Sequence, residues 1–212
     1  MLELMMIAGG SFVLGLSGAC MPGPLLTVTI SETLRRGPWA GPLLVLGHGL
    51  LEALLVVLVL FGLGEWLQRS EVFALLALTG GGMLLWMGGD MLRGLPQLSL
   101  TLSPGEQTRI HPVAAGALVS LANPYFIFWW ATIGLGYMVV ANQAGVVGVV
   151  IFYLFHILSD LAWYALVSGS VSLGRNLISD RAYRWMVGCC AVFLVGFGGY
   201  FGWRGVLAIS GL

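Results

Sequence analysis

The chain has no lysine and few charged residues of any kind. Charged side chains make up 8% of the 212 residues, and nine basic residues balance nine acidic ones, so the formal net charge is zero. A nucleic-acid partner is therefore not expected, because nucleic-acid binding depends on a basic surface. Too few polar side chains remain to cover the surface of a soluble domain of this size.

Cysteines and the common catalytic signatures are also scarce. The three cysteines (Cys20, Cys189 and Cys190) lie within apolar segments, which excludes a secreted-type disulfide framework and favours small buried hydrophobic residues. The sequence has no His-Glu-x-x-His signature, no convincing Ser/His pair and no nucleotide-binding loop. Ser120 is only a weak candidate nucleophile. We therefore expect neither an enzyme nor an ATP-driven transporter, and no cofactor.

The chain is rich in long apolar stretches. Hydrophobic residues make up 58% of it, and its mean hydropathy is +0.96. A helix needs roughly 20 apolar residues to cross a bilayer, and six stretches qualify. A β-barrel would alternate apolar and polar residues, which these stretches do not. The predicted membrane helices of this all-α protein are Leu4–Ile30, Trp39–Leu67, Val72–Met91, Val113–Val140, Val146–Leu173 and Trp185–Leu207. The first has Glu3 and no basic residue before it, so we interpret it as a membrane helix and not a signal peptide.

The arginines set the predicted orientation. With six spans, only Arg69 and Arg204 fall on one side of the membrane. The other side has Arg35, Arg36, Arg93, Arg109, Arg175, Arg181 and Arg184. The positive-inside rule makes the second side cytoplasmic and predicts that both termini of this multi-pass plasma-membrane protein lie outside.

One polar stretch divides the chain. Residues 94–112 form a predicted cytoplasmic linker between residues 1–93 and residues 113–212, which together make one membrane domain. Each part has three membrane segments, and an odd number inverts the second part relative to the first. This predicts two inverted-topology three-helix repeats, the plan of many secondary transporters. The 32 glycines are interpreted mainly as close-packing positions between membrane helices.

Prolines break the first and fourth segments at corresponding places. Pro22-Gly23-Pro24 interrupts segment one, and Asn123-Pro124 interrupts segment four, in the order of a helix N-cap followed by its first residue. Each proline frees a carbonyl four residues earlier, and the half-helix start at Asn123 favours an anionic group. A simple proline kink is the alternative. We predict that the two breaks face one another around a cavity whose substrate-binding residues are Gly18, Cys20, Pro22, Gly23, Pro24, Ser120, Asn123 and Pro124.

Each half also has a His-x-x-x-acid pair deep in the membrane. His48 and Glu52 lie in segment two, and His156 and Asp160 lie in segment five. Spacing of four places each histidine on the same helix face as its acid. Buried ionisable residues in a membrane usually mark ion pathways or proton relays. We predict that these four residues carry ion coupling. Two alternatives remain: polar residues that only hold helices together, or a metal site, which would require the two helices to meet.

Three tryptophans also lie deep in the predicted segments. For Trp129, Trp130 and Trp163 we favour packing over ligand stacking.

Two motifs resemble the LysE/RhtB family of amino-acid exporters, the LysE-type translocators. The matching residues are Pro22-Gly23-Pro24, the run Thr33–Gly41 with Gly47, and the run Asn123–Trp129. The resemblance spans essentially the whole chain and implies a six-helix secondary exporter that moves small amphiphilic solutes out of a bacterial or archaeal cell. Two features differ from the family pattern: Leu25 directly follows Pro-Gly-Pro where the family usually has a polar residue, and His48 accompanies Glu52.

The sequence therefore predicts a secondary active exporter of small solutes, amino acids or related metabolites, in a prokaryotic inner membrane. Export proceeds by alternating access and is coupled to protons or ions. The alternative is a divalent metal-ion exporter that uses His48, Glu52, His156 and Asp160. The expected partners are a small-molecule substrate and the lipid bilayer, and homo-oligomer formation is left open.

Overall fold

The computed structural model describes residues 1–63, 69–98, 110–174 and 179–210, and these residues contain helices and no strand. Within these ranges the α-helices are α1 (Leu2–Ala19), α2 (Pro24–Arg36), α3 (Ala40–Leu58), α4 (Ser70–Gly94), α5 (Pro112–Leu121), α6 (Pro124–Trp129), α7 (Leu135–Asn142), α8 (Gly145–Gly174) and α9 (Asp180–Ser210). A kinked turn, Val59–Leu63, in which Gly62 has a φ of 104°, follows α3, and a π-helical turn, Trp130–Gly134, joins α6 to α7. A short 3₁₀ turn, Leu95–Gln97, follows α4.

Six helices in the described ranges are long and apolar enough to span a membrane. They are Leu2–Ala19, Ala40–Gly62, Ser70–Gln97, Pro124–Asn142, Gly145–Gly174 and Asp180–Ile209. The prediction of an all-α membrane protein with six spans is confirmed. The predicted linker 94–112 lies mostly outside the described residues, as do Arg109 and Arg175, so the division into repeats remains a prediction.

The first and fourth segments are broken at the prolines, as predicted. In segment one, α1 ends at Ala19 and α2 begins at Pro24. In segment four, α5 ends at Leu121 and α6 begins at Pro124. Asn123 is the N-cap of α6, and its Oδ1 accepts a hydrogen bond from the Tyr125 N–H at 3.1 Å. Because proline cannot continue the preceding helix, each predicted segment becomes two helices, and Leu2–Ala19 in segment one and Pro124–Asn142 in segment four are each long enough to span a membrane.

Two of the carbonyls that proline was expected to free have backbone donors. Gly18 O accepts from the Met21 N–H at 3.2 Å, and Ser120 O accepts from the Asn123 N–H at 3.1 Å. At each break the last helical turn tightens. The carbonyl accepts from the N–H three residues later, because the proline four residues later has no N–H. These two carbonyls therefore have hydrogen-bond partners, contrary to the prediction that the prolines would free them.

Glycines bring the membrane helices into backbone contact. A Cβ added at Gly81 of α4 would lie 2.8 Å from Gly198 O of α9, and one added at Gly198 would lie 2.8 Å from Gly81 O. Where α3 meets α5, a Cβ at Gly47 would overlap Val113 O and one at Gly116 would overlap Leu44 O. The predicted close-packing role of glycine is confirmed at these positions.

The helix contacts place α3 and α8 side by side. The first helix of segment one, α1, packs on α8, while the first helix of segment four, α5, packs on α3. The α4 helix pairs with α9, and α2 lies against both α3 and α8. The helices α3 and α8, which carry the His-x-x-x-acid pairs, are thus neighbours. Each is covered by a helix from the other part of the chain: α3 by α5, and α8 by α1.

An ion-pair cluster with a buried carboxylate and two exposed arginines lies near the end of α2. Glu32 is 6% exposed, and its carboxylate lies 3.1 Å from Arg35 Nη1 and 2.6 Å from Arg36 Nε. Both arginines are in the last turn of α2, where a positive charge also favours the helix dipole. Gly37 then ends the helix with a φ of 87°, a backbone conformation that suits glycine. The sequence interpretation missed the buried Glu32.

Candidate functional site: a histidine and carboxylate cluster between α3 and α8

Four ionisable side chains meet between α3 and α8. His48 and Glu52 from α3, with His156 and Asp160 from α8, are each at most 8% exposed, and we call them the His/acid cluster. His48 Nε2 lies 3.2 Å from Glu52 Oε1 and 3.5 Å from Asp160 Oδ2. His156 Nε2 lies 3.2 Å from Glu52 Oε2 and 3.7 Å from Asp160 Oδ2. Each imidazole therefore contacts both acids, and the two pairs form one site.

Ser120 connects His48 to the backbone of α5. Ser120 Oγ lies 2.7 Å from Gly116 O and 2.7 Å from His48 Nδ1. A hydroxyl has one proton, so when it donates to Gly116 O the His48 Nδ1–H must donate to Ser120 Oγ. His48 Nε2 then needs a second proton between itself and the acids, on the imidazole or on a carboxyl group. In this arrangement His48 presents Nε2 to both Glu52 and Asp160.

Aromatic residues of the fourth segment enclose this cluster. Trp130 Nε1–H donates to Glu52 Oε1 at 2.8 Å. The Trp129 ring stacks on His156, with centroids 4.7 Å apart and planes at 28°. Phe126 meets His48 edge-on at 5.5 Å. These side chains exclude lipid and strengthen the electrostatic interactions within the cluster, because the local dielectric is low.

The structure extends the sequence interpretation of the tryptophans. Trp129 and Trp130 are 4% and 1% exposed, so they do pack in the interior. Trp130 also donates to the Glu52 carboxylate, which the sequence did not indicate, because the two residues are 78 positions apart. The only local sequence signal for this contact was the pair of large aromatic residues, Trp129 and Trp130, at the end of the helix that begins at Pro124.

Two buried polar atoms of the cluster have no hydrogen-bond partner within the described residues. Within the described part of the chain, His156 Nδ1 is buried without a hydrogen-bond partner. Asp160 Oδ2 likewise has no hydrogen bond there and makes only its longer contacts with the two imidazoles. Buried polar atoms normally find a partner, so these atoms are candidates to bind water, a proton or a solute group.

A cavity of about 60 Å³ connects the cluster with both proline breaks. All four cluster residues line it. From the predicted substrate-binding set, Gly18, Pro22, Gly23, Ser120 and Asn123 line it as well. Cys20, Pro24 and Pro124 are not among its lining residues. Cys20 is exposed, and Pro124 is buried against Gly80 of α4. The remaining wall is largely aromatic and includes Tyr125 and Tyr164.

The two breaks lie close together at the wall of this cavity. A Cβ added at Gly23 would lie 3.9 Å from Asn123 Nδ2. Gly23 is the N-cap of α2 and has no side chain with which to cap it. The N-terminal end of α2 therefore presents its partial positive charge close to the cavity wall, beside the amide of Asn123.

The same side chains could also supply metal ligands. One ligand atom each from His48, Glu52 and Asp160 lies within 4.8 Å of the other two. One imidazole and two carboxylates suit a first-row divalent cation such as Zn²⁺ or Mn²⁺, while His156, the fourth predicted ligand, is not part of this group. The helices do meet, as the metal alternative requires, so transport assays must distinguish it from proton binding.

Comparison with known proteins agrees with this architecture. A Bacillus subtilis (strain 168) protein that bears the name of an amino acid efflux protein, YcgF, is 28% identical over 201 residues, or 94% of this chain and 96% of that protein. The chemotactic transduction protein ChpE of Pseudomonas aeruginosa is 32% identical over 189 residues, covering 86% of this chain and 89% of that one. The threonine efflux protein of Escherichia coli (strain K12) is 26% identical over 147 residues, covering 66% and 70%. No solved structure matches significantly. The family model of LysE type translocators matches residues 16–205, so the chain belongs to the LysE type translocator family.

Proposed function

We propose that the protein exports small amino-acid-like solutes by secondary active transport, in exchange for protons held at the His/acid cluster. Family membership supports an exporter of small solutes, and the names of two relatives, which describe efflux of amino acids and of threonine, support an amino acid. The observation that carries the proposal is the buried cluster at the wall of a cavity between two broken segments. A charge at this depth in the membrane is energetically costly, and such residues usually mark ion pathways or proton relays.

The cavity offers complementary groups for a zwitterion. The uncapped N-terminal end of α2 and the Asn123 amide favour the carboxylate of the solute. The carboxylates of Glu52 and Asp160 accept hydrogen bonds from its ammonium group. The aromatic wall, which includes Phe126 and Trp129, contacts the solute side chain.

Competition for the two acids provides the coupling. A proton and a solute ammonium group both neutralise a buried carboxylate, and the low dielectric disfavours a site with an unbalanced charge. Protons that reach the cluster from outside therefore displace the solute outward, and a solute that binds from the cytoplasm displaces protons inward. The result is antiport, in which the proton gradient drives export.

Alternating access requires two groups of helices that move against each other. The contacts support two equivalent parts, because α1 from the first part covers α8 of the second while α5 from the second part covers α3 of the first. We propose that residues 1–93 and 113–212 are inverted repeats and that the protein lies in a prokaryotic inner membrane with both termini outside. Rocking of the repeats would expose the cluster to each side in turn.

The proposal is tested in proteoliposomes with an imposed pH gradient and a panel of amino acids. Wild-type protein should accumulate at least one of them against its gradient. Glu52→Gln and Asp160→Asn keep the side-chain shape but lose the titratable group, so each should abolish uphill accumulation while the protein remains folded. The matched control is Asp90→Asn, on an exposed position of α4, which should transport as wild type does.

Two outcomes would contradict the proposal. Uphill accumulation by both cluster variants, with the pH dependence of wild type, would make the cluster structural. If the protein transports no amino acid but takes up Zn²⁺ or Mn²⁺, and this uptake depends on His48 and His156, the proposal of amino-acid export is wrong and metal export is the function.

A further inference from the structure

The indole N–H of Trp129 is a buried donor at the wall of the cavity. Trp129 is 4% exposed, and its Nε1 has no hydrogen-bond partner among the described residues. Trp129 lines the cavity of about 60 Å³, as does Gly18 of α1. Buried N–H groups normally find an acceptor, because an unpaired one costs free energy. A ligand in the cavity with an acceptor oxygen would satisfy this donor.

The packing of Trp129 turns its N–H edge toward Gly18. The ring stacks on His156 with centroids 4.7 Å apart, and it meets Trp130 edge-on at 5.8 Å. A Cβ added at Gly18 would lie 3.3 Å from Trp129 Nε1, 3.5 Å from its Cε2 and 3.6 Å from its Cδ1. These three atoms form the N–H edge of the indole. The glycine, which has no side chain, therefore leaves space beside that edge.

Two further donors lie at the wall of the same cavity. Asn123 Oδ1 accepts from the Tyr125 N–H at 3.1 Å, which fixes the orientation of the amide. Its Nδ2 then faces the start of α2, where a Cβ added at Gly23 would lie 3.9 Å away. The N–H of Leu25, another lining residue, belongs to the first turn of α2 and has no carbonyl within that helix to accept it. Several N–H donors beside a helix N-terminus suit an anionic group.

We propose that Trp129 is a binding residue whose indole N–H, together with Asn123 Nδ2 and the N-terminal end of α2, forms a subsite for the carboxylate of the exported solute. The inference rests on the proposed function, which takes the solute to be amino-acid-like. An N–H donates more strongly to an ionised acceptor than to a neutral one, so the subsite selects a carboxylate over the corresponding amide. Indole, amide and backbone N–H groups do not titrate near neutral pH, so the subsite is present in every charge state of the His/acid cluster.

Two substitutions test the indole N–H by different routes. Trp129→Phe removes it together with part of the ring. Gly18→Ala leaves Trp129 unchanged but places a methyl group 3.3 Å from Nε1, where the carboxylate would bind. The matched control for the first is Trp163→Phe on α8, since Trp163 Nε1 is also buried without a partner among the described residues but does not line the cavity. The matched control for the second is Gly9→Ala on α1, where a Cβ would have no heavy atom within 4 Å.

The primary experiment measures binding of free glycine and of glycinamide, which has an amide in place of the carboxylate, to the purified protein by calorimetry at one fixed pH. Wild type should prefer glycine. Trp129→Phe should weaken glycine binding by about tenfold or more, because a hydrogen bond to an ionised group is lost, and should change glycinamide binding much less. Both control variants should bind the two compounds as wild type does. A preference for glycine that survives in Trp129→Phe, or that is absent from the wild type, would overturn the inference. If Trp129→Phe does not fold, the same criterion applies to Gly18→Ala.

A second measurement observes the indole N–H directly in the wild-type protein. With ¹⁵N-labelled tryptophan, one indole resonance should move downfield as free glycine is added at fixed pH, and its shift should follow the binding curve. The same resonance should stay in place in Gly18→Ala and should move in Gly9→Ala as it does in wild type. If no indole resonance follows glycine binding, the inference is wrong.

Neither measurement requires transport, so the two proposals can fail separately. A wild-type protein that shows both Trp129 effects but accumulates no amino acid against its gradient would refute coupled export and leave the carboxylate subsite in place. Uphill export by a protein whose preference for glycine survives Trp129→Phe would refute only the role of Trp129.

Discussion

The backbone contact between α3 and α5 should be essential for the geometry of the cluster, and Gly116→Ala tests this. A Cβ at Gly116 would overlap Leu44 O, so α3 and α5 would have to separate by about 1 Å to restore an ordinary contact. Ser120 lies one turn after Gly116, and its Oγ is 2.7 Å from His48 Nδ1. The same separation would lengthen that hydrogen bond beyond its useful range.

Two effects add to the destabilisation expected for Gly116→Ala. Overpacking typically costs about 1–3 kcal/mol. Loss of the partner of a buried donor, here His48 Nδ1–H, costs about 1–3 kcal/mol more. The free energy of unfolding should therefore fall by roughly 2–6 kcal/mol, and transport should be impaired even at temperatures where the protein is folded.

The assay is thermal unfolding in detergent, followed by transport in proteoliposomes. Gly82→Ala on α4 is the matched control, since a Cβ there would have no heavy atom within 4 Å. Alanine in an open helix position should stabilise the protein slightly, by about 0.5–1 kcal/mol. The two substitutions should thus shift the melting temperature in opposite directions. A Gly116→Ala protein as stable and as active as wild type would refute the reasoning about α3 and α5.

Three further predictions follow from the site and the topology. Ser120→Ala leaves His48 Nδ1 without its acceptor and should lower the free energy of unfolding by about 1–3 kcal/mol, measured by thermal denaturation; an unchanged melting temperature would contradict the proton assignment. Asn123→Asp keeps the oxygen that caps α6 but replaces the Nδ2 donor with a negative charge, so solute affinity measured by calorimetry should fall at least tenfold with little loss of stability; unchanged affinity would exclude a role for Asn123 in binding. Cysteines introduced at Leu2 and Ile209, in a background without native cysteines, should both react with a membrane-impermeant maleimide added outside intact cells; labelling at only one of them would exclude the six-span orientation.

The features that could be predicted from the sequence are those set by local composition. Six spans follow from apolar length, and the breaks follow from Pro22-Gly23-Pro24 and Asn123-Pro124, because proline acts on its own helix. The shared face of His48 and Glu52 follows from helical spacing alone. Each of these depends on residues within a few positions of one another.

The features that could not be predicted depend on how helices meet. Spacing places His156 beside Asp160, but only packing places both close to Glu52. The hydrogen bond from Trp130 to Glu52 joins residues 78 positions apart. The contact between Ser120 and His48 joins residues 72 positions apart. The Gly18 carbonyl was expected to be free, but a local change in hydrogen bonding satisfies it.

The central claim is that solute and protons compete for the His/acid cluster, and proton release on solute binding tests it most directly. Purified wild-type protein in weakly buffered detergent solution, mixed with a transported amino acid and monitored with a pH-sensitive dye, should release protons in proportion to the bound solute. Glu52→Gln and Asp160→Asn should release fewer protons at equal occupancy, while Asp90→Asn should match wild type. Solute binding without proton release in the wild type, across the pH range in which the protein is folded, would contradict the account.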